Sequence, residues 1–489
     1  MTAPVPPDFQ RIAEPLAWWA AHHPNHTALI EAGVVWTYGQ LDQAVTAAQG
    51  SLADHGVRPG DRVAIIGENS IALVALILAA SRAGAWVVPL NPRLSDREVD
   101  EITEHATPRR TLFITQGSAK TRQQARRHAT EPFALAELAG IEIGASNPRA
   151  NAATDADVAA LIYTSGTTGQ PKGVMLTHRN LLFSARTSGQ IRALTPHDLI
   201  ASVLPISHIL GFTGVMLASL TWGATLTLMA RFDPPRLLRL VLGEPVTVML
   251  GAPSMFALLA EYATQQGMSV LPAHRLRLIS SAGAPLDDGV KAAVEACFGI
   301  VLNNGYGITE CAPTIALTRL ERPRRDCSVG VLLPGVEARL DGDGALHIRG
   351  PNVMAGYYRD EAATARVLDA DGWFNTGDLA RVEDDHWYIV GRTKEQISRF
   401  GFKIYPAEVE AVLNAYPGVR QSAVIGRGDG AHQDVIAFVE AAADALSVAD
   451  LADYAAARLA DYKRPAEIRV MAALPMGATG KVLKSALMA

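Results

Sequence analysis

The chain has 489 residues, of which 49% are hydrophobic and 19% are charged, and its formal net charge is −5. This length predicts two or more domains around a large core, and the balanced charge argues against a nucleic-acid-binding surface. The three cysteines, Cys297, Cys311 and Cys327, lack the spacing of metal ligands, which indicates a reduced, cytoplasmic setting without a zinc site.

The amino terminus predicts neither a secretory signal nor a membrane anchor. Residues 1–15 have no basic start and no apolar core, both of which a signal peptide needs. The longest apolar tract, residues 71–80, is far shorter than the roughly 20 residues of a membrane span. We expect a buried helix there, capped by Asn69 or Ser70.

Short apolar runs alternate with helical patterns through the first 150 residues. The predicted strands cover residues 62–66, 86–90 and 112–115, and the predicted helices cover residues 71–82 and 96–105. This is the spacing of βαβ units, so we expect a mainly parallel sheet.

A segment rich in glycine and hydroxyl groups follows an apolar strand that ends at Tyr163. Residues 161–178 read LIYTSGTTGQPKGVMLTH. Glycines let backbone N–H groups approach an anion, hydroxyls donate further hydrogen bonds, and Lys172 adds positive charge. Pro171 precedes the lysine and no GK[ST] triplet opens a helix, so the segment is not a Walker P-loop. Taken alone, it is either a phosphate-binding loop or a plain turn.

Several later stretches combine strand ends with polar or aromatic residues. Residues 204–212 read LPISHILGF and place His208 in an apolar run, where a lone histidine is usually a core residue. Residues 281–286, SAGAPL, read as a loop before a helix that Asp287 caps. The stretches at 303–310 (NNGYGITE), 373–378 (WFNTGD), 388–395 (YIVGRTKE) and 475–481 (PMGATGK) follow in that order.

Together these motifs resemble those of the adenylate-forming superfamily, which includes acyl-CoA synthetases, peptide-synthetase adenylation domains and luciferases. The resemblance covers essentially the whole chain and is closest to aryl-CoA and medium-chain acyl-CoA ligases. It implies an α/β fold with a large N-terminal domain of mainly parallel βαβ sheets sandwiched by helices, a β-barrel-like part, and a small mobile α+β C-terminal domain. The implied boundaries are 1–391 for the adenylation domain, 392–395 for the hinge and 396–489 for the mobile domain.

The resemblance also assigns a nucleotide site. Tyr306 would stack on adenine, Thr309 would bond a phosphate, and Glu310 would hold Mg²⁺. Asp378 would accept the ribose hydroxyls, and Arg392 would contact ribose or phosphate. The remaining implied nucleotide-binding residues are Thr164, Ser165, Gly166, Thr167, Thr168, Gly169, Lys172, Gly283, Ala284, Pro285, Asn304, Gly305 and Gly307.

The C-terminal part carries the implied mobile functions. Lys481 matches the catalytic lysine of the family, and Lys394 matches its hinge residue. Coenzyme A would meet Gly401, Phe402, Lys403 and Arg464. Ser398, Arg399 and Phe400 are bulkier than the small residues expected beside a pantetheine arm.

The implied reaction is ATP-dependent joining of a carboxylic acid to CoA through an acyl-adenylate, with ATP, Mg²⁺ and CoA required. The implied acid pocket contains His208, Ile209, Phe212, Met255, Ala282 and Gly305. Because His208 alone among these is ionisable, we expect an aromatic or medium-chain aliphatic acid, and not a dicarboxylate unless Arg277 points inward. Residues 206–212 contain no aspartate, which argues against an amino acid.

Two alternatives remain open at this stage. A stand-alone adenylating enzyme that loads a carrier-protein phosphopantetheine would share every motif. A nucleotide-binding scaffold protein is disfavoured by the intact Lys172, Glu310, Asp378 and Lys481. We expect a monomer or homodimer with no nucleic-acid partner.

Overall fold

A computed structural model of the chain describes residues 6–150, 157–164, 171–399, 402–428, 433–441, 446–476 and 482–487. The α-helices of this part are α1 (Glu14–His22), α2 (Tyr38–Asp54), α3 (Ile71–Arg82), α4 (Asp96–Ala106), α5 (Ala119–Arg126), α6 (His178–Ile191), α7 (Ala218–Trp222), α8 (Pro234–Gly243), α9 (Pro253–Gln265), α10 (Asp288–Phe298), α11 (Glu361–Ala365), α12 (Pro406–Asn414) and α13 (Val448–Ala456).

The strands begin with β1 (Thr27–Glu31), β2 (Val34–Thr37), β3 (Arg62–Ile66), β4 (Trp86–Leu90), β5 (Arg110–Ile114), β6 (Glu131–Pro132), β7 (Ile141–Ile143), β8 (Val158–Thr164), β9 (Lys172–Thr177), β10 (Leu199–Ser202), β11 (Thr225–Leu228), β12 (Val248–Gly251), β13 (Leu278–Ser281) and β14 (Leu302–Gly307). They continue with β15 (Thr314–Leu317), β16 (Val331–Leu332), β17 (Glu337–Leu340), β18 (Ala345–Arg349), β19 (Gly356–Tyr357), β20 (Phe374–Glu383), β21 (His386–Arg392), β22 (Ile397–Arg399), β23 (Phe402–Ile404), β24 (Gln421–Arg427), β25 (Asp434–Glu440) and β26 (Glu467–Met471).

Two large sheets form the body of the protein. One has the order β16-β15-β14-β13-β12-β10-β11-β1-β2, and its interior from β14 to β1 is parallel. The other has the order β19-β9-β8-β4-β3-β5-β7-β6, and its interior from β8 to β5 is parallel. Every residue of β3 and β4 is buried, which explains their nearly continuous apolar sequences. The predicted α/β fold with mainly parallel sheets is confirmed.

Smaller sheets follow along the chain. Strands β17, β18, β20 and β21 form a four-stranded antiparallel sheet in the part expected to be barrel-like. Beyond residue 396, β22 pairs with β23, and β24, β25 and β26 form a sheet with a separate core that includes residues of α12 and α13. This is the predicted small α+β unit.

The local predictions hold closely, with small differences at element ends. Helix α3 covers the predicted residues, and Ser70 caps it by accepting from the N–H of Leu73 at 3.2 Å. The alternative cap, Asn69, instead bonds the backbone of Leu204 and Ile206, tying α3 to the segment before His208. Asp287 caps α10, as predicted. None of the described helices combines the length and the apolar character that crossing a bilayer requires.

Candidate active site

The phosphate-binding segment lies on a β-hairpin. Strands β8 and β9 are antiparallel, and Thr164 at the end of one faces Lys172 at the start of the other. Strand β19 pairs with β9 on its other side, with Tyr357 opposite Val174. This pairing places the ammonium of Lys172 over the ring of Tyr357, 4.7 Å from its centroid. The remaining predicted loop residues, Ser165, Gly166, Thr167, Thr168 and Gly169, lie outside the described residues.

Tyr357 also reaches the predicted metal ligand. Its hydroxyl donates to Oε1 of Glu310 at 2.8 Å, and the backbone carbonyl of Glu310 accepts from Met354 N at the same distance. Burial and the nearby Glu310 carboxylate raise the pKa of Tyr357, so the phenol stays a donor. Glu310 and Thr309 sit in a short helical turn, Thr309–Cys311, directly after β14. The sequence analysis missed Tyr357, although the aromatic pair at 357–358 was visible.

A second polar cluster joins Tyr306, Asp378 and Arg392. Asp378 and Arg392 are opposite each other in β20 and β21, and Nε of Arg392 lies 3.1 Å from Oδ1 of Asp378. The hydroxyl of Tyr306 donates to Oδ2 at 2.5 Å. Burial and the Asp378 carboxylate raise the pKa of Tyr306 well above its usual value. Three residues predicted from separate motifs therefore meet around one buried carboxylate.

The glycines beside Tyr306 are required by close backbone approach. A Cβ on Gly307 would lie 2.1 Å from the carbonyl oxygen of Pro313, and one on Gly305 would lie 2.4 Å from Cδ2 of Leu317. Asn304 ties the same strand to its surroundings, because its amide donates to Cys327 O at 3.1 Å. These residues fix the path of β14 toward Glu310.

A small cavity lies beside His208. Its lining is mainly apolar and consists of Leu204, Pro205, His208, Leu210, Ala252, Met255, Ala282 and Gly283. Gly283 has a φ of +88° and begins the turn that leads through Ala284 and Pro285 to α10. Three of the predicted acid-pocket residues, His208, Met255 and Ala282, therefore share one cavity.

The other predicted acid-pocket residues lie elsewhere. Ile209 is 1% exposed and Phe212 is 0% exposed, and both pack in the main core. A π-helix, Leu210–Leu217, follows His208, and within it Leu210 lines the cavity whereas Phe212 does not. Gly305 is buried in β14 and does not line this cavity.

Arg277 does not point toward the acid. Its guanidinium donates to both oxygens of the buried Asp198, at 2.8 and 2.7 Å, and to the carbonyls of Arg192 and Ala193. Burial acts to raise the pKa of Asp198, but the bonds from Arg277 and Thr247 outweigh it and lower that pKa. The route to a dicarboxylate through Arg277 is therefore closed.

The C-terminal candidates are engaged with protein groups. Phe402 is half exposed and stacks on Tyr462, with ring centroids 4.2 Å apart. Lys403 pairs with Asp343 at 2.5 Å, and Arg464 pairs with Asp461 at 2.6 Å.

The hinge candidate Lys394 lies in the short turn Thr393–Glu395 between β21 and β22. The catalytic lysine candidate, Lys481, and Gly401 fall outside the described residues, so their roles stay predictions.

Comparison with known proteins gives a consistent result. Family models described as AMP-binding enzyme and as AMP-binding enzyme C-terminal domain match residues 16–358 and 408–481. A feruloyl-CoA synthase of Amycolatopsis sp is 35% identical, over 94% of this chain and 95% of its own. A 3-[(3aS,4S,7aS)-7a-methyl-1,5-dioxo-octahydro-1H-inden-4-yl]propanoyl:CoA ligase of Rhodococcus jostii is 32% identical over the same shares.

A solved structure is similar in fold along the whole chain. The o-succinylbenzoate CoA synthetase of Bacillus subtilis, crystallised with its acyl-adenylate intermediate, has a TM-score of 0.82 and 29% identity. The match covers 97% of this chain and 98% of that protein. The same enzyme has also been crystallised with ATP and a magnesium ion.

Proposed function

The chain belongs to the AMP-binding enzyme family, and from this premise we propose that it is an ATP-dependent carboxylic acid:CoA ligase. In the first half-reaction a carboxylate oxygen attacks the α-phosphorus of ATP, the bond to pyrophosphate breaks, and an acyl-adenylate forms. In the second, the thiolate of CoA attacks the acyl carbon, and AMP leaves with the electron pair of the broken C–O bond. The products are acyl-CoA, AMP and pyrophosphate.

The observation that carries this proposal is the convergence of Lys172, Tyr357 and Glu310 at one end of the hairpin β8–β9. Attack of a carboxylate on a polyphosphate brings anions together, so the site needs cations and donors where charge develops. Lys172 supplies a positive charge, and Thr309 with Thr164 and the loop 165–169 supplies donors. We assign these residues to the phosphates of ATP.

Glu310 fits the role of a magnesium ligand. Among the described residues no cluster of three or more His, Cys, Asp or Glu side chains could hold a metal ion. Mg²⁺ commonly binds through one or two carboxylates together with substrate phosphates and water, which a single Glu310 satisfies. Bound there, Mg²⁺ would neutralise part of the phosphate charge. Tyr357 would orient the Glu310 carboxylate through its hydrogen bond.

The cluster around Asp378 suits the nucleoside. A carboxylate has about four acceptor sites, so Asp378 can keep Tyr306 and Arg392 and still accept ribose hydroxyls. The Tyr306 ring offers a flat surface for adenine, and the segment Gly283–Ala284–Pro285 lies at the end of the neighbouring parallel strand.

The cavity beside His208 suits the acid. Its lining is predominantly apolar, which favours an aromatic skeleton over a short polar acid. We propose an aryl or similarly bulky monocarboxylic acid, in keeping with the names of the relatives. His208 at the mouth would position the reacting carboxylate.

Two further roles extend the family resemblance. We assign Lys481 to the first half-reaction, and Gly401, Phe402, Lys403 and Arg464 to the CoA side of the second. Rotation of a C-terminal domain about residues 392–395 would exchange the two sets. Residues 392–395 fall between the two family-model matches, which end at 358 and begin at 408, and this supports the proposed hinge. Free thiols at Cys297, Cys311 and Cys327 and the use of ATP and CoA favour a cytoplasmic location.

The test is pyrophosphate release with ATP and Mg²⁺ across benzoates, cinnamates, arylacetates and C2 to C12 fatty acids, each with and without CoA. Hydroxylamine in parallel samples would trap an acyl-adenylate as the hydroxamate. We expect sustained turnover that needs one acid class and CoA together. Hydroxamate formation without any CoA-dependent turnover would point to a carrier-protein acceptor, and no pyrophosphate with any acid would refute the proposed reaction.

A further inference from the structure

Arg192 is a buried cation that follows the last residue of α6. It is 4% exposed, and burial lowers the pKa of its guanidinium to about 10, so it stays charged at neutral pH. Within the described part of the chain, no atom accepts a hydrogen bond from its Nε or Nη1. Buried charges are normally paired and hydrogen-bonded, so an unsatisfied guanidinium indicates a missing acceptor.

The guanidinium lines a small cavity. Polar side chains share that lining: Ser280 of β13, Asn303 and Asn304 of β14, and Thr318. Three of these already make hydrogen bonds, because Thr318 donates to Oδ1 of Asn303 at 3.1 Å and Asn304 donates to Cys327 O. Arg192 is therefore the strongest donor that this cavity has free.

This cavity lies along the same face of β13 as the acid cavity. Leu278 and Ser280 line the cavity of Arg192, and Ala282 lines the cavity of His208. Alternate residues of a strand share a face, and Ser280 and Ala282 are about 7 Å apart along it. The cavity of Arg192 therefore lies toward the start of β13, and the cavity of His208 lies just past its end.

We propose, on the basis of the ligase function proposed above, that Arg192 recognises an oxygen acceptor at the end of the acid remote from its reacting carboxylate. The acid class is then an aryl or polycyclic carboxylic acid that carries a distal carbonyl, phenolic or carboxylate oxygen. Two adjacent N–H donors of a guanidinium suit such an oxygen better than any alkyl tail. This refines the expectation of an uncharged aromatic or medium-chain aliphatic tail, which rested on the residues around His208 alone.

The sequence carried little sign of this role. Arg192 stands near the end of a helical pattern, where a cation is ordinarily solvated and favoured by the helix dipole. Only burial distinguishes it from Arg186, which lies on the same helix and pairs at the surface with Asp8.

The experiment uses cinnamates that differ only at the 4-position: methyl, hydroxyl, acetyl and carboxylate. The full chain is compared as wild type, Arg192→Met, which keeps length but not charge, Arg192→Lys, and the matched surface control Arg186→Met. The readouts are kcat/KM from pyrophosphate release and the Kd of each acid from calorimetry.

For the wild type we expect the best oxygen-bearing acid to exceed 4-methylcinnamate by about 10²-fold in kcat/KM, because an unpaired buried donor rejects an analogue without its acceptor. Arg192→Met should lose most of that preference while 4-methylcinnamate changes less than about threefold, and Arg186→Met should match the wild type. The identity of the best 4-substituent distinguishes a neutral from an anionic acceptor.

A wild type without preference for any oxygen-bearing acid would overturn the proposal, as would an Arg192→Met variant that loses all acids equally. The wild-type preference decides alone if Arg192→Met does not fold. An ordered water on Arg192 in place of substrate would show as equal Kd values across the series. Because Kd is measured without turnover, failure of the ligase reaction would be seen separately from failure of acceptor recognition.

Discussion

Asp378 is held by two partners before any nucleotide arrives. Tyr306 and Arg392 bond its two oxygens, so the carboxylate is fixed in orientation within a buried site. A hydrogen bond to a charged group contributes about 1.5–3 kcal/mol to stability, more than a bond between neutral groups. If one partner is removed, the remaining buried groups lose that stabilisation. In the proposed function, Asp378 joins nucleoside recognition to the pairing of β20 with β21.

We predict that Asp378→Asn lowers kcat/KM for ATP by about 10- to 100-fold, because an amide nitrogen would face Arg392 or Tyr306 and ribose would lose a charged acceptor. The loss should appear mainly in KM for ATP, measured by steady-state kinetics at saturating acid. Asp369→Asn, at an exposed turn aspartate that pairs with Arg339, is the control and should keep its KM. An unchanged KM for ATP in Asp378→Asn would contradict the ribose role.

The candidate site residues that stand in a distinctive motif could be predicted from the sequence. Lys172, Glu310, Asp378 and Arg392 stood in recognisable patterns, and the structure brings the first two together through Tyr357 and the last two directly. Tyr357 was not predicted because its role depends on β19 pairing with β9, which is distant in sequence. Ile209 and Phe212 were predicted from motif positions, and both are buried in the main core.

Strand β14 and the turn that follows it carry several of the predicted site residues. It passes from the cavity of Arg192 at Asn303 and Asn304 to Tyr306 and then to the turn that holds Glu310. It is parallel to β13 on one side and antiparallel to β15 on the other. The strand can take this path only because Gly305 and Gly307 let β15 and Pro313 approach.

We predict that Gly307→Ala impairs both stability and ATP use, since its Cβ would meet a backbone oxygen that cannot rotate away. The melting temperature should fall, and KM for ATP should rise by at least about tenfold. The control is Gly50→Ala in α2, where a Cβ meets nothing within 4 Å and should leave activity unchanged and raise stability by roughly 0.5–1 kcal/mol. Wild-type melting and kinetics in Gly307→Ala would refute the steric argument.

Element positions were predicted well where a strand or helix is apolar throughout. Helix α3 and strands β3 and β4 occupy the predicted residues. They are buried on all sides, so their sequences are nearly all apolar and the change to polar residues marks their ends. Strand β5 begins at Arg110, two residues before the predicted 112, since Arg110 and Thr111 are polar yet paired with β3. The hairpin β8–β9 was expected only as a strand followed by a loop, because the return strand begins within the motif itself.

At the scale of the whole molecule, the N-terminal segment is tied to α6 by a buried, uncharged histidine. His178, the first residue of α6, is 6% exposed, and the N–H of Ile12 donates to its Nδ1 at 3.2 Å. Burial, with the nearby positive charge of Arg11, lowers the pKa of His178 to about 4. Protonation at Nδ1 would break the bond that ties the N-terminal segment to α6.

We predict that stability falls on acidification from pH 6.5 toward pH 4. In that window the unfolded chain binds a proton that the folded chain does not, so the free energy of unfolding rises with pH. The folded pKa is below the unfolded value of 6.5, so the stabilisation is complete above 6.5 and is lost as pH approaches 4, by about 3 kcal/mol for this group. Burial lowers the pKa of His105 and His128 as well, in the same direction.

The measurement is denaturant unfolding across pH 4 to 8. His178→Gln can still accept from the N–H of Ile12 but does not titrate. It should reduce the slope of the free energy of unfolding against pH by up to the contribution of one proton. His197→Gln, at an exposed ring, should leave the curve unchanged. An identical pH dependence in His178→Gln and the wild type would show that acid sensitivity arises elsewhere.

At this scale the sequence predicted the two-part α/β architecture because the motifs of one family span the chain in order. The strand orders of the two large sheets could not be predicted from the sequence. Sheet order depends on which elements pack together, and contacts such as β1 with β11 join residues almost 200 positions apart.

Because β14 is paired with β13 on one side and β15 on the other, it sets a fixed distance between the residues along the candidate site. From Asn303 to Gly307 the strand spans about 13 Å, a length set by peptide geometry. The strand cannot shift gradually along its neighbours, because a register shift of one residue would turn every side chain to the opposite face. Tyr306 would then point away from Asp378. On the proposals above, we therefore expect acids of different length to be accommodated by exchanging side chains near Arg192, while the part of β14 proposed to face the nucleotide stays constant.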